Sequence, residues 1–472
     1  MPEIENYDAL IIGSGEAGKY MAWTMAKAGH RTAVVERKLI GGSCPNIACL
    51  PSKNIIFSAK VASLARRGAE FGLSMGSLGI DMAGVQRRKR KMVEDLIQIH
   101  LDHYQTSGTE LIMGMARFIS PRTVEVSLAE GGTRVIAGDR IFLNLGTRAV
   151  IPDVPGLAAS QPMTHVEALD LDHLPDHLIV VGSGYVGLEL AQAMRRLGAK
   201  VTVIGRGAQL ASREDADVGS ALLELFQSEG IDVHLNTKVL SVEGRSGQRV
   251  QLHVQDGSGE RKIEGSDLLV ATGRTPNTDG IGLEQAGIKL TAQGYVDVNE
   301  RLETTAPNVW AMGDCAAGSP IFTHVAFDDF RIVIDNLNGG QRTTRNRLVP
   351  FCVFTDPELA RVGLNESEAK ARGIEYRVVK LPMAAVLRMF TLSERRGFIK
   401  LLIASDSDRI LGLTALGTEA SELMAAVQTA MLGGLPYTVL RDAIFAHPTT
   451  AEGLNVLLRS VPAQQARKAQ AS

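Results

Sequence analysis

YDALIIGSGEAGKYMAWTMAKAGHRTAVVE, residues 7–36, is the stretch from which the rest of the chain can be read. YDALIIG is an apolar strand, Gly13-Ser-Gly15-Glu-Ala-Gly18 the turn after it, and KYMAWTMAKAGH a helical pattern. TAVVE is a second strand, ending on Glu36. Glycines at these spacings permit a tight turn and let a pyrophosphate approach the helix N-terminus, while the acid ending the second strand is placed for ribose hydroxyls. A lone glycine-rich turn is weak evidence; the full order of strand, turn, helix, strand and acid reads as a dinucleotide site.

The unit recurs. HLIVVG leads into Gly182-Ser-Gly184-Tyr-Val-Gly187, then the helical LELAQAMRRLGA and the strand KVTVIGR. Two units call for two dinucleotides, as a flavin plus a nicotinamide requires. Their ends differ. Glu36 lies 23 residues after Gly13 (36 − 13), and the same step from Gly182 reaches Gly205, followed by Arg206. No carboxylate stands there to repel a 2′-phosphate, and an arginine can pair with one, so the second unit favours NADPH over NADH. Arg213 is a further candidate; a solvated loop position stays open for both arginines. IFLNLGTR (141–148) and LLVATGRTPNT (268–278), the latter turning at Gly273, each read as a strand and turn that close one unit. NVWAMGDCA (308–316) is another apolar strand, and Asp314 at its end is placed for a polyol chain or a helix cap.

Composition narrows the function. The chain has 472 residues, enough for about three domains. Hydrophobic content of 45%, charged content of 22% and a net charge of −2 are ordinary globular usage and point to neither nucleic acid nor an anionic membrane. No apolar run is long enough to span a bilayer, and the N-terminus lacks a secretory pattern. Four cysteines do not make a disulfide framework, and the expected compartment is the reducing cytoplasm. PAQQARKAQAS at the end reads as a frayed tail over 461–472.

Two of the four cysteines, Cys44 and Cys49, sit in GGSCPNIACLPSK, residues 41–53. On a regular helix residues five apart have Cα atoms ~8–9 Å apart, more than a disulfide spans. A bridge requires Cys44 at or before the first turn, where Pro45 suits an N1 position and a thiol gains reactivity from the helix end. Zinc needs four ligands, and neither His30 nor His100 has ligand spacing. A redox pair is favoured over a metal site or a structural staple.

This stretch resembles the active-site motif of the class I pyridine nucleotide-disulfide oxidoreductases, which include lipoamide dehydrogenase, glutathione reductase and mercuric reductase. The resemblance extends over residues 5–460, with Ser43, Pro45 and Ala48 as departures. It implies an α/β fold of two Rossmann-type dinucleotide-binding domains plus an α+β C-terminal dimerisation domain. The implied divisions are 1–150 for FAD, 151–274 for NAD(P), 275–345 completing the FAD site and 346–460 for dimerisation. The resemblance puts Cys49 against the flavin, Cys44 outside it as the attacking thiol, and Lys53 near the flavin paired with Glu189. Tyr185 would cover the empty nicotinamide pocket, and Gly42, Gly114, Thr147, Asp314, His324 and Ala326 would contact FAD. His447, oriented by Glu452 and supplied by the partner of an obligatory homodimer, would be the acid/base for the outer thiol; histidine titrates near neutrality and suits that task.

Within the family, Gly205 argues against lipoamide dehydrogenase, the alternative disulfide reading. GRGAQLASRED and PIFTHVAFDDFRIV resemble the mercuric reductase-like branch, which leaves a metal ion as a possible acceptor. No cysteine follows Cys352, whereas mercury transfer uses a C-terminal cysteine pair. The expected acceptor is therefore a small or protein disulfide, or a metal ion as substrate, with no resident metal. Cys315 and Cys352 are expected to be core thiols.

Overall fold

The computed structural model describes residues 3–74 and 76–464; the expected tail lies outside them from residue 465 onward. The first apolar stretch forms strand β1 (Ile4–Ile12), helix α1 (Glu16–Lys27) and strand β2 (Thr32–Glu36). β1 pairs in parallel with β2, with Ile12 opposite Val35, because the helix carries the chain back across the sheet. Gly13 takes a φ of +99° at the turn, and a Cβ on Gly18 would stand 2.1 Å from the Gly13 carbonyl oxygen, so α1 packs directly on its own turn. Helices α2 (Ser43–Ile47), α3 (Cys49–Arg66) and α4 (Met82–Ser107) follow. β3 (Glu110–Ser120) pairs in parallel with β2 through its first residues and antiparallel with β4 (Thr123–Leu128) through the rest. β5 (Thr133–Leu143) returns alongside β1 in parallel. β2 and the C-terminal ends of β1 and β5 are buried on both faces, which explains their unbroken apolar runs.

The short β6 (Thr147–Ala149) and helix α5 (His165–Ala168) lead into the second unit. There β7 (His177–Val181), helix α6 (Tyr185–Leu197), β8 (Lys200–Ile204), helix α7 (Ala216–Ser228) and β9 (Asp232–His234) repeat the wind. An antiparallel sheet of β10 (Lys238–Arg245), β11 (Arg249–Asp256) and β12 (Gly259–Gly265) precedes β13 (Asp267–Val270), which joins β7 in the order β13-β7-β8-β9. β14 (Arg274–Pro276) then pairs antiparallel with β6, tying the exit of this unit to its entrance. β15 (Val309–Ala311) rejoins the first sheet beside β5, and helix α8 (Thr323–Leu337) packs on α1.

The remaining strands are β16 (Phe351–Val353), β17 (Glu358–Gly363), β18 (Tyr376–Pro382), β19 (Phe398–Ala404) and β20 (Ile410–Gly417). They form one antiparallel sheet in the order β16-β17-β20-β19-β18. Among the described residues no helix is long and apolar enough to cross a membrane.

Charge holds this sheet to the second unit. Lys400 of β19 is 1% exposed at its side chain and contacts Asp215 at 2.8 Å, Asp217 at 2.9 Å and Glu366 at 3.0 Å. Burial pushes Asp215 up, but hydrogen bonds from Lys400 and Ser367 outweigh it and hold the carboxyl at about 2. An acid depressed in the folded state adds stability above its unfolded pKa and loses it as the pH falls through the folded value. Lys400→Met strips three carboxylates of their shared cation, so it is expected to cost about 3–5 kcal/mol. The lowered urea midpoint checks this, and below neutrality the variant should unfold at higher pH than the wild type.

Candidate active site

The cysteine stretch does not form one continuous helix. α2 ends at Ile47, Ala48 turns away with φ −135° and ψ −104°, and α3 begins at Cys49. Cys44 stands in the first turn of α2 and Cys49 at the start of α3; both are free thiols here. Pro45 is the third residue of α2 rather than its first, since Ser43 opens the helix. Gly42, at φ +79°, lies so near the first nucleotide turn that a Cβ would be 2.5 Å from Gly15 Cα. The cysteine loop therefore rests on the glycine turn that opens α1.

The two sulfurs perturb each other. Cys49 is pulled down first by the neighbouring Cys44; burial opposes this, and Thr323 and Lys53 reinforce it. Cys44 is pushed up, first by the neighbouring Cys49 and second by burial. Thr323 Oγ1, at the start of α8, is 3.2 Å from Cys49 Sγ. Thr323 and Lys53 thus favour the charged form of the sulfur at Cys49.

Lys53, one turn along α3 from Cys49, reaches Glu189 Oε2 at 2.7 Å. The other oxygen of Glu189 accepts the Phe354 backbone N–H at 2.8 Å. Lys53 Nζ also lies over the Phe354 ring, 4.7 Å from its centroid. This pair links the two nucleotide units and the C-terminal sheet beside the thiols.

The first nucleotide cradle is built as the sequence pattern requires. Gly15 is the N-cap of α1 and has no side chain to cap it; Asn144 takes only the Gly18 N–H, the third of the helix. Glu36 Oε2 accepts from Ser14 N at 2.9 Å and Ser14 Oγ at 2.7 Å, and its other oxygen accepts from Lys38 N and Leu39 N. Asp314 is half-buried, and desolvation raises its carboxyl; Thr147 Oγ1 donates to it at 2.9 Å and Arg274 stands 3.9 Å away. A helix N-terminus, an acid at the strand tip and a half-buried carboxyl suit the pyrophosphate, ribose and polyol of FAD. Ala326 packs under Gly313, where a Cβ would lie 3.1 Å from it. His324 bonds the Pro350 carbonyl at 2.8 Å, and Gly114 lies in β3 against the Ser127 carbonyl; neither is in contact with the thiols.

Two structural residues of this cradle escape a motif reading. Asn144 donates to Met312 O at 2.9 Å and accepts from Gly18 N at 3.1 Å, locking α1 to the end of β15. Asp329, fully buried, accepts from Gly313 N and Ser319 Oγ at 2.8 Å each and meets Arg347 at 2.5 Å. A polar residue inside the apolar run IFLNLG was the available signal for Asn144; Asp329 gave none.

In the second cradle Gly184 likewise leaves the N-terminus of α6 uncapped, and a Cβ on Gly187 would stand 2.4 Å from Gly182 O. A Cβ at Gly205 would lie 2.8 Å from Ser183 Oγ, and no acidic side chain stands at this strand end. Arg206 is exposed, and Gly273, at φ +147°, faces open space. Tyr185 begins α6 and bonds Glu214, a residue sequence reasoning passed over. His447 is 60% exposed and bonds Glu452 through Nδ1 at 2.9 Å. Within one chain His447 is not brought to the cysteines. Cys315 is buried and raised to about 12, and burial likewise raises Cys352. Among the described residues no group of three or more His, Cys, Asp or Glu side chains is arranged for a metal.

Residues 7–329 match the family model described as pyridine nucleotide-disulphide oxidoreductase, and 349–457 match the dimerisation domain of the same family. The chain belongs to this family. It is 35% identical over 464 residues to the probable pyridine nucleotide-disulfide oxidoreductase RclA of Escherichia coli, covering 97% of this chain and all of the relative. It is also 35% identical to a mercuric reductase of Acidithiobacillus ferrooxidans, covering 94% of this chain and 81% of that one. The structure titled Cu(II) complex of HOCl-induced flavoprotein disulfide reductase RclA superposes with a TM-score of 0.88 at 35% identity, covering 96% and 99% of the two chains. The protein is an FAD-dependent oxidoreductase of the disulfide or metal reductase type, uses a pyridine nucleotide, and carries the dimerisation domain of a homodimer.

Thr323→Val deletes one bond to the Cys49 thiolate. Because hydrogen bonds to charged groups are worth about 1.5–3 kcal/mol, the thiolate titration should move up by about one pH unit or more. Ultraviolet thiolate absorbance of the reduced protein against pH reads this directly.

Proposed function

We propose that this protein uses NADPH to reduce a small or protein disulfide through Cys44 and Cys49. The observation that carries the reading is the pair of free thiols on a loop that rests on the first nucleotide turn, with Thr323 Oγ1 3.2 Å from Cys49 and the Lys53–Glu189 pair one turn along. FAD, when bound, would take hydride from the nicotinamide and pass two electrons to the Cys44–Cys49 disulfide. The first cradle, 1–150 with 275–345, would hold it through Gly13, Gly15, Gly18, Glu36 and Asp314. Residues 151–274 would hold NADPH, with Arg206 on the 2′-phosphate and no acid at Gly205 to oppose it.

The chain's own residues then account for the acceptor step. Lys53 and Thr323 hold Cys49 as thiolate, leaving the proton on Cys44. His447, from the other subunit, would take that proton with Glu452 fixing its ring. The Cys44 thiolate attacks one sulfur of the acceptor, and the leaving thiolate takes the proton back from His447. Cys49 thiolate then attacks Cys44 sulfur, which re-forms the internal disulfide and releases the second half of the acceptor as a thiolate. Two electrons have moved, and one acceptor disulfide has become a thiol and a thiolate, the latter taking its proton from water. The exposed chain near His447 supports the shared site: Ile444 is fully exposed in the single subunit, an apolar surface suited to burial by a partner.

A metal ion as electron acceptor is the second reading, favoured by the mercuric reductase relatives and by the copper complex of the similar structure. Turnover with glutathione disulfide, lipoamide, a thioredoxin-type disulfide, copper(II) and mercury(II) distinguishes the two. For the acceptor it prefers, Cys44→Ala and His447→Ala homodimers should each be inactive. Mixed dimers of the two variants should regain about half of wild-type activity, because one of the two shared sites is then intact. Inactive mixed dimers would place the histidine and cysteine of a site in one subunit. Metal turnover surviving His447→Ala would overturn the disulfide reading. Arg206→Ala should raise KM for NADPH well above its effect on NADH.

A further inference from the structure

Tyr185 is held from two sides. Its hydroxyl donates to Glu214 Oε1 at 2.6 Å. Its ring stacks on Phe351, with centroids 5.4 Å apart and planes 22° apart. The other oxygen of Glu214 lies 3.0 Å from Arg361 Nε, with Glu214 wholly buried. That contact lacks hydrogen-bond geometry and acts as an ion pair. Arg361 in turn lies over Phe351, 4.9 Å from the ring centroid. Tyr185, Glu214, Arg361 and Phe351 therefore close a ring of contacts.

Only Tyr185 belongs to α6. Phe351 and Arg361 come from the C-terminal sheet, and Glu214 from the loop before α7. That loop is anchored on both sides of Glu214: Asn365 Nδ2 donates to Arg213 O at 3.2 Å, and Ser367 Oγ donates to Asp215 at 2.8 Å. Gln209 Nε2 bonds the Glu214 carbonyl at 2.9 Å. A buried carboxylate is costly unless it is paired, and a ring that only filled space would need none. Arg361 also serves Glu368 at 2.8 Å, so Glu214 has only a share of that cation and the Tyr185 hydroxyl as partners.

We propose that Glu214 is a positioning residue that latches Tyr185 closed over the nicotinamide pocket, so that the nucleotide enters only after the Tyr185–Glu214 hydrogen bond breaks. The proposal rests on the reading of Tyr185 as the cover of that pocket. A protein whose binding-competent form is a minor fraction binds its ligand more weakly by that fraction. The latch sets the fraction. Releasing it should tighten nucleotide binding.

Anaerobic rapid mixing of the holoenzyme with NADPH, read by cofactor absorbance, separates Kd from the limiting rate. Tyr185→Phe removes the hydroxyl alone and should lower Kd by about tenfold, the worth of one hydrogen bond to a charged group. Glu214→Gln keeps an acceptor without the charge and should lower Kd by a smaller factor. Adding it to Tyr185→Phe should give no further gain, as two members of one contact do not act independently. Tyr185→Phe leaves the buried ion pair untouched, so the test survives if Glu214→Gln folds poorly. An unchanged or raised Kd in Tyr185→Phe overturns the latch. If Tyr185→Gly tightens binding where Tyr185→Phe does not, the latch falls and the cover stands. If Tyr185→Gly changes neither Kd nor rate, both fall.

Discussion

A thiolate kept beside a nucleotide cradle has to be stabilised by donors, because burial alone favours the neutral thiol. Here the donors come from separate parts of the chain. Thr323 comes from α8, and Lys53 from the next turn of α3. Lys53 is itself held by Glu189 on α6, whose second oxygen binds the backbone after β16. One sulfur thus depends on both nucleotide units and on the C-terminal sheet. Their relative placement is fixed by further buried charge, with Lys400 between Asp215, Asp217 and Glu366, and Arg196 between Glu229 and Asp356. Interfaces between domains in one chain are ordinarily mobile; these ion pairs restrain them where the chemistry needs three domains to meet.

The two nucleotide units show how one fold is adapted to two ligands. Ser14 and Ser183 occupy the same place after the first glycine of each turn. In the first unit the serine donates to Glu36 at the strand end. In the second, the equivalent Gly205 offers no carboxylate, and Ser183 stands beside it. The glycine N-caps of α1 and α6, which carry no capping side chain of their own, are common to both units, as expected if each faces a pyrophosphate.

Much of this was legible in the sequence because it is local. Strand, glycine turn, helix and strand follow one another within about thirty residues, and the spacing of Cys44 and Cys49 lies in one short segment. What the sequence hid depends on contacts between distant residues. Thr323 is 274 positions from Cys49, and Asn144 is 126 from Gly18. Glu214 looked like one more loop acid, and Lys400 stands in an apolar strand with nothing nearby in sequence to announce its carboxylates. The helix break at Ala48 was also invisible: geometry ruled out a bridge within a regular helix, yet Pro45 suggested a start two residues later than the one observed. The His447–Glu452 pair forms within one chain, but its distance from the cysteines becomes meaningful only with a second subunit.

The central claim is that Cys44 and Cys49 cycle between disulfide and dithiol. Thiol titration of the denatured protein before and after anaerobic NADPH tests it most directly. Of the four cysteines, two should appear only after NADPH in the wild type, and Cys49→Ala should show no gain. An unchanged thiol count on reduction of the wild type would contradict the account.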